Sequence, residues 1–249
     1  MYNFFVSNDA KSDGFYKITG SDYNHIKSVL RMKIGEELYV SENGKTALCV
    51  ISDFTENAVI VKIMKEDCSA TDLPIKIVLF QALIKSDNFE LALLKSVELG
   101  VDKIVPVCSL RSIIKIEDKK KAQKIERWQS ISEAGAKQSK RNSIPKVDDI
   151  TSFKLAIEKA KECDKIIVPY ECKNGMESFK KAFSDIKRGE KIAVFIGPEG
   201  GFDESEIALI EKAGGIPVSL GKRILRAETA TLTTLSALML TAECNLVGE

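Results

Sequence analysis

Two strand-like apolar runs near the C-terminus each stop at a glycine- and charge-marked turn and hand over to a helix-like segment. The first is KIAVFIGPEGGFDESEI at residues 191–207, and the second is LGKRILRAETATLTTLSAL at 220–238. A strand that ends in such a turn leads to an α/β architecture, and in α/β proteins ligands bind at the carboxyl ends of strands. The two segments are close enough in sequence to build one pocket. In Gly197-Pro198-Glu199-Gly200-Gly201 the glycines permit a tight turn and a close backbone approach to a ligand. The spacing is not G-x-G-x-x-G, and a plain strand-to-helix turn would use the same residues. Arg226 and Glu228 precede an apolar helix expected from about Thr229, so they are either paired with each other or aimed at a ligand. Glu228 could equally just complement the helix N-terminus.

The preceding chain supports this class. Residues 75–82 and 103–107 read as strands around a helix at 87–99 that stops at Gly100. A long basic helix follows at 119–138. Then come a helix at 152–161, a strand at 165–168, a helix at 177–183, strands at 192–196 and 216–220, and a final helix at 229–244. Asp203 and Glu206 have capping-box spacing at the start of a helix. Strands alternating with helices imply a mostly parallel sheet covered on both faces. The first 70 or so residues differ. Strands at 37–40 and 45–51 flank an Asn43-Gly44 turn, a strand follows at 58–64, and one short helix spans 22–31. Thr71-Asp72-Leu73-Pro74 reads as a linker, giving a small β-barrel or sandwich over 1–72 and an α/β domain over 73–249.

Composition narrows the chemistry. With 44% hydrophobic residues in 249, a sizeable core is available, and no run approaches a membrane span. The start lacks a secretory pattern, and Cys49, Cys68, Cys108, Cys163, Cys172 and Cys244 are scattered without a C-x-x-C pair. Both point to a cytoplasmic protein with reduced thiols. His25 is the only histidine, which argues against a Ser-His-Asp triad and a histidine-rich metal centre, so no metal is expected. The Gly44-Lys45-Thr46 tripeptide is not a P-loop, because position 39 is Tyr39. Net charge is +1, but residues 111–146 hold 11 Lys/Arg against 4 Asp/Glu, while residues 1–72 hold 8 against 11. A basic stretch of this size can follow a phosphate backbone or be a solvated helix face.

IGPEGGF and LGKRILRAETA together resemble the signatures of the ribosomal RNA uridine N3-methyltransferases, the RsmE family of the SPOUT superfamily. The resemblance extends over nearly the whole chain, through HIKSVLRM at 25–32, KSVELGV at 95–101, RWQSISEA at 127–134, and the pairs Gln138-Ser139 and Arg141-Asn142. The chain departs from the usual pattern at Lys137 and Lys140, and at Asn88. The resemblance implies a PUA-like β-barrel followed by a SPOUT α/β domain with a C-terminal trefoil knot, S-adenosylmethionine as cofactor, a homodimer, and 16S ribosomal RNA or the small subunit as partner. It implies cofactor contacts at Ile196, Gly197, Pro198, Glu199, Gly200 and Gly201, and at Leu220, Gly221, Ile224, Leu225 and Arg226. Ile196, Leu220, Ile224 and Leu225 would be its apolar walls. Arg226 would stabilise charge developing on the uracil carbonyls, and Glu228 would either accept the N3 proton or hold Arg226 in place. Arg31, Arg111 and Arg141 are the candidate phosphate contacts. A SPOUT methyltransferase acting on another RNA, a non-catalytic RNA-binding module and an ordinary nucleotide-dependent enzyme are the competing readings.

Overall fold

The computed structural model describes residues 1–7, 9–68, 71–171 and 175–246; Cys172 lies outside them. It divides into two compact units, Met1–Asp72 with Ala136–Ile144, and Leu73–Gly135 with Pro145–Glu249. The division at 72/73 falls in the linker, and a second stretch at 136–144 belongs to the first unit.

The first unit is one six-stranded sheet of β1 (Asn3–Phe5), β2 (Lys11–Ser12), β3 (Phe15–Thr19), β4 (Glu37–Glu42), β5 (Lys45–Phe54) and β6 (Ala58–Lys65). The order is β1-β4-β5-β6-β3-β2. Asn43 and Gly44 both take positive φ, 50° and 77°, and pair Glu42 with Lys45, as a two-residue hairpin requires. Alternation puts Leu38, Val40, Ile51, Val59 and Val61 inside, around Phe4 and Ile18.

The helix expected at 22–31 is shorter and irregular. α1 (Gly20–Asn24) passes into a π-helical turn, His25–Val29, and Arg31 leaves it at φ 53°. Tyr23 of α1, Ile26 of the π-helical turn and Met32 after it all reach the core. Residues 136–144 join this unit through buried polar contacts. Asn142 Oδ1 accepts from the Thr46 hydroxyl at 3.0 Å, and the Asn3 amide donates to the Arg141 carbonyl at 3.0 Å.

The second unit is built on β7 (Lys76–Ala82), β8 (Lys103–Cys108), β9 (Lys146–Val147), β10 (Thr151–Ser152), β11 (Lys165–Pro169), β12 (Lys191–Ile196) and β13 (Ile216–Val218). Every pairing is parallel, in the order β10-β8-β7-β12-β11-β13, with β9 beside β8. The helices are α2 (Ser86–Glu98), α3 (Asp118–Gln138), α4 (Phe153–Ala160), α5 (Glu177–Ser184), α6 (Glu204–Lys212) and α7 (Ala227–Leu246). β7 and β12 are apolar almost throughout because both faces of a parallel sheet are covered. Phe80 and Phe195 stack across them at 4.5 Å, an offset pair contributing about 1 kcal/mol beyond its buried area. α2 ends where Gly100 turns at φ 91°; a Cβ there would lie 2.5 Å from Leu73 Cδ1.

Candidate cofactor cleft

The chain runs from β7 to β8 on one side of the sheet, and β12, β11 and β13 lie on the other. A cleft opens at the carboxyl ends of these last three strands, the position at which open α/β sheets bind ligands. Ile196 from β12, Pro169 and Tyr170 from β11, and Ser219 and Leu220 after β13 form its floor. Its walls are the 197–202 turn, the 221–225 turn, and Ala227 and Ala230 of α7. Its volume of ≈ 150 Å³ is about ten times what one water needs, so it has room for an organic ligand.

The first turn is tightly held. The Gly201 amide donates to the Pro198 carbonyl at 2.9 Å, and a Cβ at Gly197 would press Phe202 at 3.3 Å. Glu199 Oε1 accepts the Lys85 amide at 3.0 Å, tying the turn to the start of α2. Asp203 and Glu206 form the expected capping box of α6. Glu206, 1% exposed, also accepts the Leu110 amide at 2.9 Å. Arg111, beside it, donates to the Gly200 carbonyl at 3.3 Å and to Asp203 at 3.0 Å. The Ser205 hydroxyl and amide, then Arg111, hold the Asp203 carboxyl below its ordinary range.

The cleft brings together Ile196, Gly197, Pro198, Glu199, Gly201, Leu220, Gly221, Ile224 and Leu225, as expected. Gly200 is not among its lining residues. It faces Arg111, whose Cβ lies 3.5 Å from where a Cβ on Gly200 would sit. The side chain of Ile224 is 83% exposed, so it is a lip of the cleft rather than a buried wall. Pro169, Tyr170 and Glu171 line the cleft without having been anticipated. Their only sequence signal was their place at the end of a third apolar strand.

α7 begins at Ala227, two residues before the expected start, and this changes the surroundings of both charged candidates. Arg226 is exposed and just precedes the helix; Glu228 is in the first turn and 8% exposed. They are not ion-paired, and neither lines the cleft. Ala227 and Ala230 face it, whereas Thr231, one turn after Glu228, bonds Gln81 Oε1 at 2.7 Å. Glu228 Oε2 is buried with no hydrogen-bond partner. A negative group is favoured there by the helix dipole.

The three phosphate candidates have different fates. Arg31 is exposed in the first unit. Arg111 is half-exposed but engaged with Asp203 and Gly200. Arg141 is 3% exposed, and its guanidinium lies 3.5 Å from the Asp72 carboxylate. A cation packed inside this way stays paired because unpairing it in a low-dielectric setting is costly.

A parallel sheet with such a cleft, in a chain that also carries a separate β-sheet unit, defines the class: an α/β protein with a ligand-sized cleft and a second, β domain. Residues 71–239 match the RNA methyltransferase domain, and residues 18–64 match the RNA methyltransferase PUA domain. The chain is 35% identical over 227 residues to ribosomal RNA small subunit methyltransferase E of Bacillus subtilis (strain 168), covering 90% of this chain and 89% of the relative. It is 35% identical over 240 residues to the protein of the same name from Mesomycoplasma hyopneumoniae (strain 232), covering 95% and 98%. Its structure is similar to that of ribosomal RNA small subunit methyltransferase E from Neisseria gonorrhoeae bound to S-adenosyl methionine, with a TM-score of 0.83, 30% identity, and coverage of 96% and 97%. The chain belongs to the RNA methyltransferase family, on the branch of these small-subunit ribosomal RNA enzymes.

Proposed function

We propose that this protein transfers a methyl group from S-adenosylmethionine to N3 of one uridine of 16S ribosomal RNA, producing 3-methyluridine. The observation that carries this reading is the convergence of the 197–202 and 220–225 turns on one cleft at the ends of β12 and β13. The donor set fits the cofactor. Ile196, Leu220 and Leu225 offer apolar surface for an adenine, while Gly197, Gly201 and Gly221 leave backbone uncovered for polar contacts. When bound, S-adenosylmethionine supplies an electrophilic methyl group on a sulfonium.

Uridine N3 becomes nucleophilic only when its imino proton leaves, and negative charge then spreads to the base carbonyls. Arg226, exposed beside the cleft-lining residues Leu225 and Ala227, is the cation we assign to that charge. Glu228 is buried in the first turn of α7 and does not line the cleft, so we assign it a positioning role beside Arg226, which immediately precedes that turn. Holding base and methyl group in line supplies much of the acceleration. In the first unit we assign exposed Arg31 to RNA contact. The reading extends to a homodimer acting on ribosomal RNA in the cytoplasm, and to a trefoil knot formed by the segments around the cleft.

The test is methyl transfer from labelled S-adenosylmethionine to small ribosomal subunits lacking their own base methylations, followed by nucleoside mass spectrometry. 3-Methyluridine at one site is expected. Label on another base or on ribose overturns the assignment.

A further inference from the structure

The loop between β13 and α7 carries features that cofactor binding leaves unused. Lys222 and Arg223 both line the cleft and are both exposed, and neither has an ion pair or hydrogen bond among the described residues. Ile224, next to them, is 83% exposed, the highest value among the large apolar side chains of the described part. An isolated exposed apolar residue needs no explanation. One set beside two unpaired cations at the lip of a ligand cleft has a definite chemical complement, a polyanion that also offers flat apolar faces.

Single nucleotides of an RNA have both properties. N3 lies on the pairing edge of uridine, so the base must leave its stack before N3 can enter a cleft built from strand ends. Proteins that open a stack insert an apolar side chain, isoleucine among them, and hold the displaced backbone through lysine and arginine. We propose that residues 222–224 are the RNA-facing lip of the cleft. Lys222 and Arg223 hold the phosphates flanking the target uridine, and Ile224 packs against the stack that the uridine vacates. This rests on the methyl-transfer reading above and adds the contacts that present the base to it.

Wild type and four variants test it, with RNA binding measured whether or not turnover occurs. In K222A/R223A, log affinity for the small-subunit RNA should fall less steeply with log salt, by about 1.4–1.8 units for two lost phosphate contacts. Salt slopes are compared at saturating S-adenosylmethionine, so that any change in cofactor affinity is read separately by calorimetry. K222R/R223K should restore the slope. With 2-aminopurine beside the target uridine, wild-type binding should raise its fluorescence; I224A should lose that rise and I224L keep it. An unchanged salt slope overturns the phosphate contacts, and an unchanged fluorescence rise in I224A overturns the stack contact. If sedimentation shows that I224A loses self-association while RNA behaviour is unaltered, the lip is a subunit contact and the proposal falls. Failure of wild-type transfer would instead count against the methyl-transfer reading, because the slopes and fluorescence are read independently.

Discussion

Arg111 donates to the Asp203 carboxylate at 3.0 Å and, with its other terminal nitrogen, to the Gly200 carbonyl at 3.3 Å. One guanidinium from the loop after β8 thus grips the turn that walls the cofactor cleft. Arg111, a candidate phosphate contact from the sequence, is half-exposed and hydrogen-bonded within the protein. Arg111→Ala is expected to weaken S-adenosylmethionine binding severalfold by calorimetry and to leave the salt dependence of RNA binding unchanged. Arg111→Lys should recover only part of the loss, since a lysine lacks the planar two-point grip. Wild-type cofactor affinity in Arg111→Ala would show that the turn stands without it.

Glu206 accepts the Leu110 amide at 2.9 Å and the Asp203 amide at 3.0 Å while only 1% exposed. Replacing it with alanine strands both donors. With hydrogen bonds to a charged group contributing about 1.5–3 kcal/mol each, the expected loss is about 3–6 kcal/mol, of which we take the lower end because water can reach the stranded donors. At about 2–4 °C per kcal/mol for a domain of this size, melting should fall by roughly 6–12 °C. Calorimetry checks this, and a shift of a degree or less would mean that water replaces the carboxylate.

Gly100→Ala should destabilise for two reasons. φ at 91° costs an alanine about 1–2 kcal/mol, and its Cβ would come within 2.5 Å of Leu73 Cδ1. Gly200→Ala is the control, because its new Cβ would meet nothing closer than 3.5 Å. Urea titration of both variants should show a midpoint loss only in the first.

Burial works to raise the Asp148 pKa, but hydrogen bonds from Lys103 and Lys159 outweigh it and hold the carboxyl below its ordinary 3.8. A carboxylate depressed in this way stabilises the fold above pH 3.8, and that contribution is lost as pH falls through the lower folded value. Asp148→Asn should therefore be less stable than wild type at pH 7, with the gap closing as pH falls below 3.8 and through the lower folded value. A gap independent of pH would remove the charge from the explanation.

Glu228→Gln distinguishes a base from a positioning residue. Methyl transfer within a few-fold of wild type is expected, since the side chain is buried away from the cleft lining. A loss of two to four orders of magnitude, the range of general acid–base catalysis, with cofactor affinity intact would restore the base role.

Much of this was legible in order. The period-2 and period-3.6 patterns located β4, β5 and β6 and the alternation of strands and helices from β7 onward. Asn43-Gly44 marked its hairpin, and Asp203 with Glu206 marked the start of α6. These are local signals, carried by residues a few positions apart. β1, β2 and β3 were missed because they are short or flanked by polar residues. The π-helical turn was missed because no residue pattern in 25–29 distinguishes it from an ordinary helical turn. Of the expected cofactor residues, those in the two turns line the cleft, apart from Gly200 and Arg226.

The sequence by itself determined that the chain would pair a β unit with an α/β unit, and which two turns would line one cleft. Its residue order and turn chemistry settle these locally. Only the tertiary structure decided which way each charged side chain is used. Arg141 and Arg111 are both basic residues of one stretch, yet one is buried beside Asp72 and the other clamps a turn whose residues lie 89 and 92 positions away in sequence. A charge pattern records how many cations a segment has. What each faces depends on partners brought near by the fold, and desolvation and pairing then fix its role.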